Sequence, residues 1–565
     1  MNKRKTWILF MVGIVIIRIW IGEVIGIWFP SDQYYDDALM INYANFSTHF
    51  SMGGVPEYLL MVKEMAFPLF LNIVHLSGMS YSMCLSVCWI IAAACVYIML
   101  SNYTSNKKFL SLSFLLVLFN PAAFDSWLGT RLYRNAIIIP FTLIVFSLMF
   151  ILDYQLISGK SSVKKNIVMI IIFGVIFSFT YYIKEDGIWL LACLIFNMLI
   201  CTFICIGKYI KEKKKILTSL LMIFMPFAIF VIAINIYKGI NYHYFGIYET
   251  NTRTNGELGE FVEKIYKIES TERTTDVWAP EDAIKKAFNA SPTLKKNKKI
   301  FRKIEKSYWG KGNLKKNPIK GDYLTWALRY ALDNAGLWES EKQVSELFHQ
   351  INEELDEAFQ KGTLKKDKKI QLVSSMGGRS LQEIISMKDM IIKTYKITIL
   401  LEEYSPGGIL PMPGEEEVID SASMLCNMNL RLLSESAIKE REQELEKINS
   451  IVLGLFKIYK VINVILLFGA IVGICINVLM ELKEIIQKRK WNWYSIAPIS
   501  IALCMFGIAL AYAVSISWFC SFLDDSILYI ALKFYSCAMV SFFNISVLFG
   551  CLLLVNRCGN IREKH

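Results

Sequence analysis

The sequence predicts a mainly α-helical bundle that crosses a membrane about ten times and carries a large, mostly helical insertion outside it. Hydrophobic residues make up 54% of the 565 positions and charged residues only 19%, whereas soluble globular proteins average about 45–50% and about 25%. The mean hydropathy of +0.40 agrees with this. Apolar runs of about 20 residues, enough for a helix to cross the hydrocarbon core, recur along most of the chain. These patterns exclude a soluble enzyme, a fibre and a disordered chain.

Ten apolar runs are predicted to span the membrane. They lie at approximately 7–29, 81–101, 109–124, 135–153, 166–183, 188–206, 216–237, 450–480, 492–519 and 527–555. The first run follows a basic N-terminus but is longer than the core of a secretory signal peptide, so it is predicted to be an uncleaved helix. The run 66–79 is about 14 residues long, too short to cross, and we predict an interfacial or re-entrant helix there.

The basic residues predict the orientation of the bundle. Lysine-rich connectors separate the apolar runs at 107–108, 160–165, 208–215 and 483–490. Such clusters mark cytoplasmic loops, so both termini are predicted to be cytoplasmic in a cell (plasma) membrane. The outer segments are then 30–80, 125–134, 184–187, 238–449 and 520–526. Because this distribution explains the net charge of +12, we predict no nucleic-acid partner.

The chain divides into three predicted regions. Residues 1–240 form a transmembrane core that includes the first outer loop (30–80), residues 241–449 form an extracytoplasmic domain, and residues 450–565 form a three-helix transmembrane region. Part of the outer domain is predicted to be helical because Val344, Phe348 and Leu355 recur on one helical face.

Charged residues gather in four of the outer segments. They are Asp36 and Asp37 in the first loop, Lys63 before the short apolar run, Arg131 and Arg134 in 125–134, and Lys184, Glu185 and Asp186 in the turn 184–187. Ionisable residues at a membrane are costly unless they are used. A carboxylate can act as a general base toward a hydroxyl, and Arg and Lys can bind a phosphate. The plainer alternatives are a solvated acidic loop, contacts with lipid headgroups and a polar turn between helices.

Four stretches resemble the GT-C superfamily of membrane glycosyltransferases, of the protein O-mannosyltransferase and lipid A aminoarabinose transferase type. They are YYDDALMINYA (34–44), KEMAFPLFLNIVHLSG (63–78), RLYRNAIIIPF (131–141) and YIKEDGIWLL (182–191). Two later stretches, 241–251 and 321–332, resemble an uncharacterised bacterial group with the same N-terminal features. The resemblance to the superfamily covers roughly residues 1–240.

The resemblance implies transfer of a sugar, with inversion, from a polyprenyl-phosphate donor to an extracytoplasmic acceptor such as a cell-envelope glycan, lipid or protein. Asp36 or Asp37 would be the general base, with Asp36 slightly favoured. Lys63, Arg131, Arg134 and Lys184 would bind the donor phosphate, and Glu185 and Asp186 would orient the sugar or acceptor. Membrane lipids are further implied partners. No cofactor is certain, and a divalent cation at the acidic first loop is left open because two carboxylates could hold one.

Two other classes of function remain open from the sequence. One is a carrier or flippase for a lipid-linked or anionic substrate, although no internal repeat supports it and the charges gather at one face. The other is a non-catalytic receptor or assembly protein that uses 241–449 to bind its ligand.

Overall fold

The computed structural model describes residues 3–31, 36–45, 55–159, 162–407, 415–431, 435–488 and 493–562. Parts of the predicted first outer loop, 32–35 and 46–54, lie outside the described residues. Helices make up 74% of the structure, and the described residues form no β-strand. This confirms the prediction of a mainly α-helical protein.

The described residues form 22 helices. In chain order they are α1 (Lys3–Ile25), α2 (Asp36–Ala44), α3 (Ala66–Ser77), α4 (Tyr81–Ser101), α5 (Lys107–Leu118), α6 (Asn135–Ser158), α7 (Val163–Tyr181), α8 (Ile188–Tyr209), α9 (Lys213–Phe245), α10 (Gly256–Lys267), α11 (Glu281–Ala290), α12 (Pro292–Lys296), α13 (Lys298–Lys306), α14 (Tyr323–Asn334), α15 (Glu341–Gln360), α16 (Leu381–Ser386), α17 (Lys388–Leu400), α18 (Glu416–Cys426), α19 (Glu435–Lys488), α20 (Trp493–Cys520), α21 (Asp525–Tyr535) and α22 (Met539–Arg562). Short 3-10 turns lie at Glu57–Leu59 and Pro121–Ala123.

Eight helices in the described part of the chain are long and apolar enough to cross a membrane: α4, α6, α7, α8, α9, α19, α20 and α22. Their number defines a multi-pass membrane protein. The short run 66–79 forms the 12-residue helix α3, which ends at Gly78 in the left-handed conformation that favours glycine.

Two predicted spans differ from the observed helices, and a third, 7–29, forms α1, which is not among the eight. The run 109–124 forms α5, a helix of only 12 residues followed by the turn Pro121–Ala123. The run 527–555 is divided between α21 and α22. In α21, Lys533 forms a fully buried ion pair with Asp125, 2.9 Å from Nζ to Oδ2. With 11 residues, α21 is too short to cross the hydrocarbon core, so the run 527–555 contains one helix long enough to span, α22.

The centre of the bundle is formed by α6 and α22, whose apolar segments are almost entirely covered by other helices. Small residues let α19 approach α22 closely: a Cβ at Gly473 would lie 2.2 Å from the carbonyl oxygen of Gly550, and a Cβ at Gly550 would lie 2.5 Å from the Cβ of Ala470. Close backbone contact through small residues is the usual way in which membrane helices associate.

The region 241–449 has two parts. Helices α10 to α15 enclose a hydrophobic core of their own, which includes Phe261, Trp278 and Phe348. The predicted helical face is confirmed in α15, where Val344, Phe348 and Leu355 are buried. In contrast, α17 and α18 bury residues such as Ile397 and Leu425 in the core of the membrane bundle. The predicted outer domain is therefore a compact unit followed by a segment that packs on the membrane helices.

The compact unit is fixed to the C-terminal end of α20. Phe522, just beyond α20, is buried in the core of this unit and lies 5.3 Å from the rings of both Trp278 and Tyr323. Trp518 donates a hydrogen bond to the backbone oxygen of Gly377, at 2.9 Å. These contacts place the compact unit at one end of the membrane helices, where it can cover a site.

Candidate functional site

One cavity of about 1960 Å³ contains seven of the eight predicted site residues in its lining. They are Asp36, Lys63, Arg131, Arg134, Lys184, Glu185 and Asp186. The eighth residue, Asp37, is fully buried beside the cavity and is not part of its lining. The four outer segments are thus brought together at one place.

Asp36 lies at the start of α2, and its side chain is 39% exposed. Its Oδ2 accepts hydrogen bonds from Lys63 Nζ at 2.6 Å and from the Tyr133 hydroxyl at 3.0 Å. Partial burial by itself would raise the pKa of this carboxyl, but the nearby charges of Lys63 and Arg134 outweigh it and hold the pKa well below its usual range. Asp36 is therefore an ionised carboxylate that faces the cavity.

Asp37 has a different environment from its neighbour. Its two oxygens accept bonds from Nε and Nη2 of Arg131, at 2.8 and 2.6 Å, in a bidentate pair. Its side chain has no exposed area. Since the pair is buried and Asp37 does not face the cavity, the chemistry open to an incoming molecule lies at Asp36.

Arg134 and Glu185 form the next ion pair of the site, at 2.6 Å from Nη1 to Oε1. Arg134 also donates to the Tyr133 hydroxyl at 2.7 Å, and Tyr133 in turn donates to Asp36. Burial opposes ionisation of Glu185, but Arg134 and Lys63 outweigh it and lower the pKa of Glu185 to about 2. A hydrogen-bonded chain thus links Glu185 to Asp36.

Lys184 differs from the other cations of the cavity. Its side chain is buried, and its Nζ lies 3.9 Å from the thiol of Cys537 and 5.9 Å from the ring centre of Tyr535. No carboxylate of the described residues forms an ion pair with it. A buried ammonium group without a carboxylate partner favours an anion in the cavity.

Residues in and just before the compact unit line the cavity and were missed by sequence reasoning, among them Arg253, Asp322 and Trp326. Arg253 forms an ion pair with Asp322, and its guanidinium lies 5.2 Å from the ring centre of Trp326. Lys63 lies 5.3 Å from the ring centre of the same tryptophan. Trp326 is inside one of the stretches quoted above, but no spacing in the sequence indicates that it meets Lys63.

An apolar groove continues from the charged end of the cavity along the membrane helices. Its lining comes from α6, α8 and α20 and includes Phe150, Phe196, Ile200, Ile501 and Ile508. Arg134 and Asp153, at opposite ends of α6, both line the cavity, and 19 residues of helix separate them by about 28 Å. The groove is therefore about as long as the hydrocarbon core is thick.

The acidic pair of the first loop does not form a shared cation site. Asp36 and Asp37 are bonded to different cations, Lys63 and Arg131. Among the described residues, no group of three or more His, Cys, Asp or Glu side chains could hold a metal ion. These residues do not fit a divalent cation held between the two carboxylates.

No protein-family model, no curated protein and no solved structure matches this chain. The class of protein therefore follows from the fold: a multi-pass helical membrane protein whose compact unit covers a charged cavity.

Proposed function

We propose that this protein is an integral-membrane glycosyltransferase that moves a sugar from a polyprenyl-phosphate donor to an acceptor outside the cell membrane. The observation that carries the proposal is the combination, within one cavity, of a long apolar groove and a buried cation that has no carboxylate partner among the described residues. A lipid with an anionic headgroup and a long hydrocarbon chain has the same two parts. The resemblance of residues 1–240 to the GT-C superfamily supports the same class of donor.

The four cations of the site are unequal as phosphate ligands. Lys63, Arg131 and Arg134 each have a carboxylate partner, so a phosphate would compete with that carboxylate. Lys184 has none among the described residues. We therefore assign the main phosphate contact to Lys184, with Lys63 and Arg134 as contributors and Arg131 as the residue that holds Asp37.

The proposed reaction is a single displacement at the anomeric carbon. The acceptor oxygen forms a bond to this carbon while the bond between the carbon and the phosphate oxygen breaks. The electron pair of the broken bond remains on the leaving phosphate. Asp36 takes the proton of the acceptor hydroxyl. A phosphate that shares Lys63 with Asp36 weakens the charge that lowers the pKa of Asp36, and so makes this carboxylate a stronger base. Lys184 and Lys63 stabilise the phosphate as it departs.

The orientation proposed from the lysine-rich connectors places the charged end of the cavity on the extracytoplasmic side of the plasma membrane. Glu185 and Asp186, which line the same end, would then orient the sugar or the acceptor. The compact unit formed by α10 to α15 would cover the reacting groups and limit the access of water.

Binding of decaprenyl phosphate to the full-length protein in nanodiscs tests the donor site. Native mass spectrometry should show bound decaprenyl phosphate. Dioleoyl phosphatidic acid, which has the same phosphomonoester but no isoprenoid chain, should displace it poorly. Lys184→Gln should weaken binding at least about tenfold, because the phosphate loses a charge-assisted contact. Lys393→Gln removes an outer cation that does not line the cavity and should have no effect. Equal binding to Lys184→Gln and wild type would contradict the assignment.

The length of the groove favours a carrier as the second candidate function, since the cavity lining extends from Arg134 to Asp153. A carrier would move a fluorescent polyprenyl-phosphate lipid between the leaflets of a proteoliposome, and a transferase would not. Movement that Asp153→Asn abolishes would support the carrier, and a leaflet distribution equal to that of empty liposomes would support the transferase.

A further inference from the structure

Glu64 is a cavity residue to which neither the sequence nor the proposed reaction assigns a role. It follows Lys63 directly, is only 4% exposed and lines the cavity. Its Oε1 accepts hydrogen bonds from the side chains of Asn251, at 2.6 Å, and Thr250, at 3.1 Å. Its Oε2 has no hydrogen-bond partner among the described residues. A buried polar oxygen without a partner is rare in native structures and calls for an explanation.

The position of Glu64 is fixed from two sides by backbone hydrogen bonds. The backbone N–H of Ala66 donates to the oxygen of Tyr182 at 3.2 Å, and the backbone N–H of Thr252 donates to the oxygen of Met61 at 2.8 Å. The first bond joins the start of α3, two residues after Glu64, to the end of α7. The second joins Met61, three residues before Glu64, to the segment that carries the two donors of Glu64. Glu64 therefore has a defined place between the membrane core and the compact unit.

The surroundings of Glu64 combine aromatic rings with polar groups. Tyr181, Tyr182, Thr254 and Asn255 all line the cavity there. The hydroxyl of Tyr182 is buried and, like Glu64 Oε2, has no partner among the described residues. Binding sites for small polar molecules have this composition, with apolar or aromatic walls and a few polar atoms that fix the orientation of the ligand.

The ionic environment of Glu64 distinguishes it from the other acids of the cavity. Burial, and to a smaller extent the charge of Glu185, raise the pKa of Glu64 to about 8. The hydrogen bonds from Asn251 and Thr250 and the charge of Arg134 lower the pKa, but by less. The tyrosines that interact with it electrostatically are Tyr181, Tyr182 and Tyr237. At neutral pH the carboxyl group thus carries a proton and can both donate and accept hydrogen bonds.

We propose that Glu64, held by Thr250 and Asn251, and the Tyr182 hydroxyl form a subsite that binds hydroxyl groups of a sugar ring. Sugar hydroxyls donate and accept hydrogen bonds, and so match a protonated carboxyl and a phenol that both have unused capacity. The subsite lies next to the reacting groups, because the adjacent Lys63 bonds to Asp36. The substrate class rests on the proposed function, whereas the site itself rests on the geometry of Glu64.

Binding of simple sugars tests the subsite without any transfer reaction. The probes are the methyl glycosides of glucose, galactose, mannose and N-acetylglucosamine, added to the full-length protein in nanodiscs and measured by saturation-transfer difference NMR. At least one probe should bind the wild type. Glu64→Ala should weaken its binding at least about tenfold, and Glu64→Gln, whose amide also donates and accepts, should largely retain it. Glu57→Gln changes an exposed acid of the same outer loop that does not line the cavity and should leave binding unchanged.

A second measurement remains decisive if Glu64→Ala fails to fold. The infrared carbonyl band of a protonated carboxyl, assigned to Glu64 by its absence from Glu64→Gln, should shift when the bound glycoside is added at about pH 6, below the pKa of the group. No binding of any probe to the wild type, or a band that stays unchanged when a probe binds, would overturn the subsite.

Two further results locate the source of the sugar and separate this inference from the donor site. A short polyprenyl phosphate that carries the bound sugar should displace the glycoside if the subsite holds the sugar of the donor. Both should bind together if the subsite holds the acceptor. If no glycoside binds but decaprenyl phosphate still does, only the role of Glu64 is overturned. If a glycoside binds but decaprenyl phosphate does not, only the donor site is overturned.

Discussion

Two buried charged clusters lie near the first outer loop, and they differ in how completely their polar atoms are paired. In the first cluster Arg329 is fully buried and forms an ion pair with Glu341 at 3.0 Å. Arg329 also donates to the backbone oxygens of Tyr58, Leu60 and Thr252. Neither Arg329 nor Glu341 lines the cavity. This cluster joins the first loop to the compact unit and is structural.

The second cluster lines the cavity and is incompletely paired. Lys184 has no carboxylate partner, and Glu64 Oε2 has no hydrogen-bond partner, among the described residues. Burial of charge therefore does not by itself identify a functional site in this protein. A functional cluster is distinguished by contact with a cavity and by polar atoms whose hydrogen-bonding capacity the protein leaves unused.

The largest effect is expected from breaking the structural cluster. Arg329→Ala leaves Glu341 as a buried acid without its cation and removes the donor from three backbone oxygens, which should cost about 3–5 kcal/mol of unfolding free energy. Thermal unfolding in nanodiscs should show a clearly lower midpoint. A midpoint within experimental error of the wild type would contradict the structural role of this cluster.

The two neighbouring aspartates should separate stability from activity. Asp37→Asn removes the charge that pairs with the buried Arg131 and should lower the unfolding midpoint. Asp36→Asn should lower the midpoint less, since this side chain is partly exposed and an amide oxygen can still accept a hydrogen bond from the buried Lys63, and it should reduce sugar transfer about 10²–10⁴-fold through loss of the general base.

Transfer is measured from a radiolabelled donor lipid in membranes that contain equal amounts of each variant. The double Asp36→Asn, Asp37→Asn variant is the severe control and should show no transfer. Full activity in Asp36→Asn would refute the assignment of the base.

Replacement of the unpaired cation should have the opposite effect on stability. Lys184→Gln removes a buried charge that has no carboxylate partner in the described structure, so the unfolding midpoint should stay the same or rise slightly, while binding of polyprenyl phosphate falls. Lys533→Gln is the matched control, because Lys533 is also buried but is paired with Asp125. It should lower the midpoint. If both variants destabilise the protein to the same degree, the contrast between paired and unpaired cations is wrong.

The last expected effect is a dependence of stability on pH. Burial raises the pKa of Glu64 to about 8 and that of Glu341 to about 7. The folded protein then keeps protons that the unfolded chain releases above about pH 4.5, so these groups reduce stability as the pH rises from that value toward about 7 and 8. Above about pH 8 their contribution is constant. Glu64→Gln should make the unfolding midpoint fall less steeply across this range, and an unchanged slope would contradict a neutral Glu64.

Much of the architecture could be predicted from the sequence, because apolar length and periodicity are local properties. The runs that became α4, α6, α8 and α9 illustrate this. The status of 109–124 and 527–555 could not be predicted in this way, since it depends on tertiary contacts such as the ion pair between Lys533 and Asp125. A lysine within an apolar run does not indicate its partner about 400 residues away.

The location of the site was partly predictable, because the ends of the apolar runs are also local properties of the sequence. Positions near the ends of spans indicated that Asp36, Lys63, Arg134 and Lys184 would lie at one depth, and the structure brings them to one cavity. The pairing within this group, which leaves Lys184 without a carboxylate and buries Asp37, depends on side-chain geometry. Arg253 and Trp326 reach the cavity only because the compact unit folds back over it.

A cryo-EM map of the protein in nanodiscs with decaprenyl phosphate tests the proposed donor site most directly. We expect headgroup density beside Lys184 and within reach of Lys63, with the chain in the groove between α8 and α20 and with Asp36 facing the phosphate. Headgroup density elsewhere on the surface, or a continuous water-filled path from Arg134 to Asp153 in place of the lipid chain, would contradict the transferase proposal.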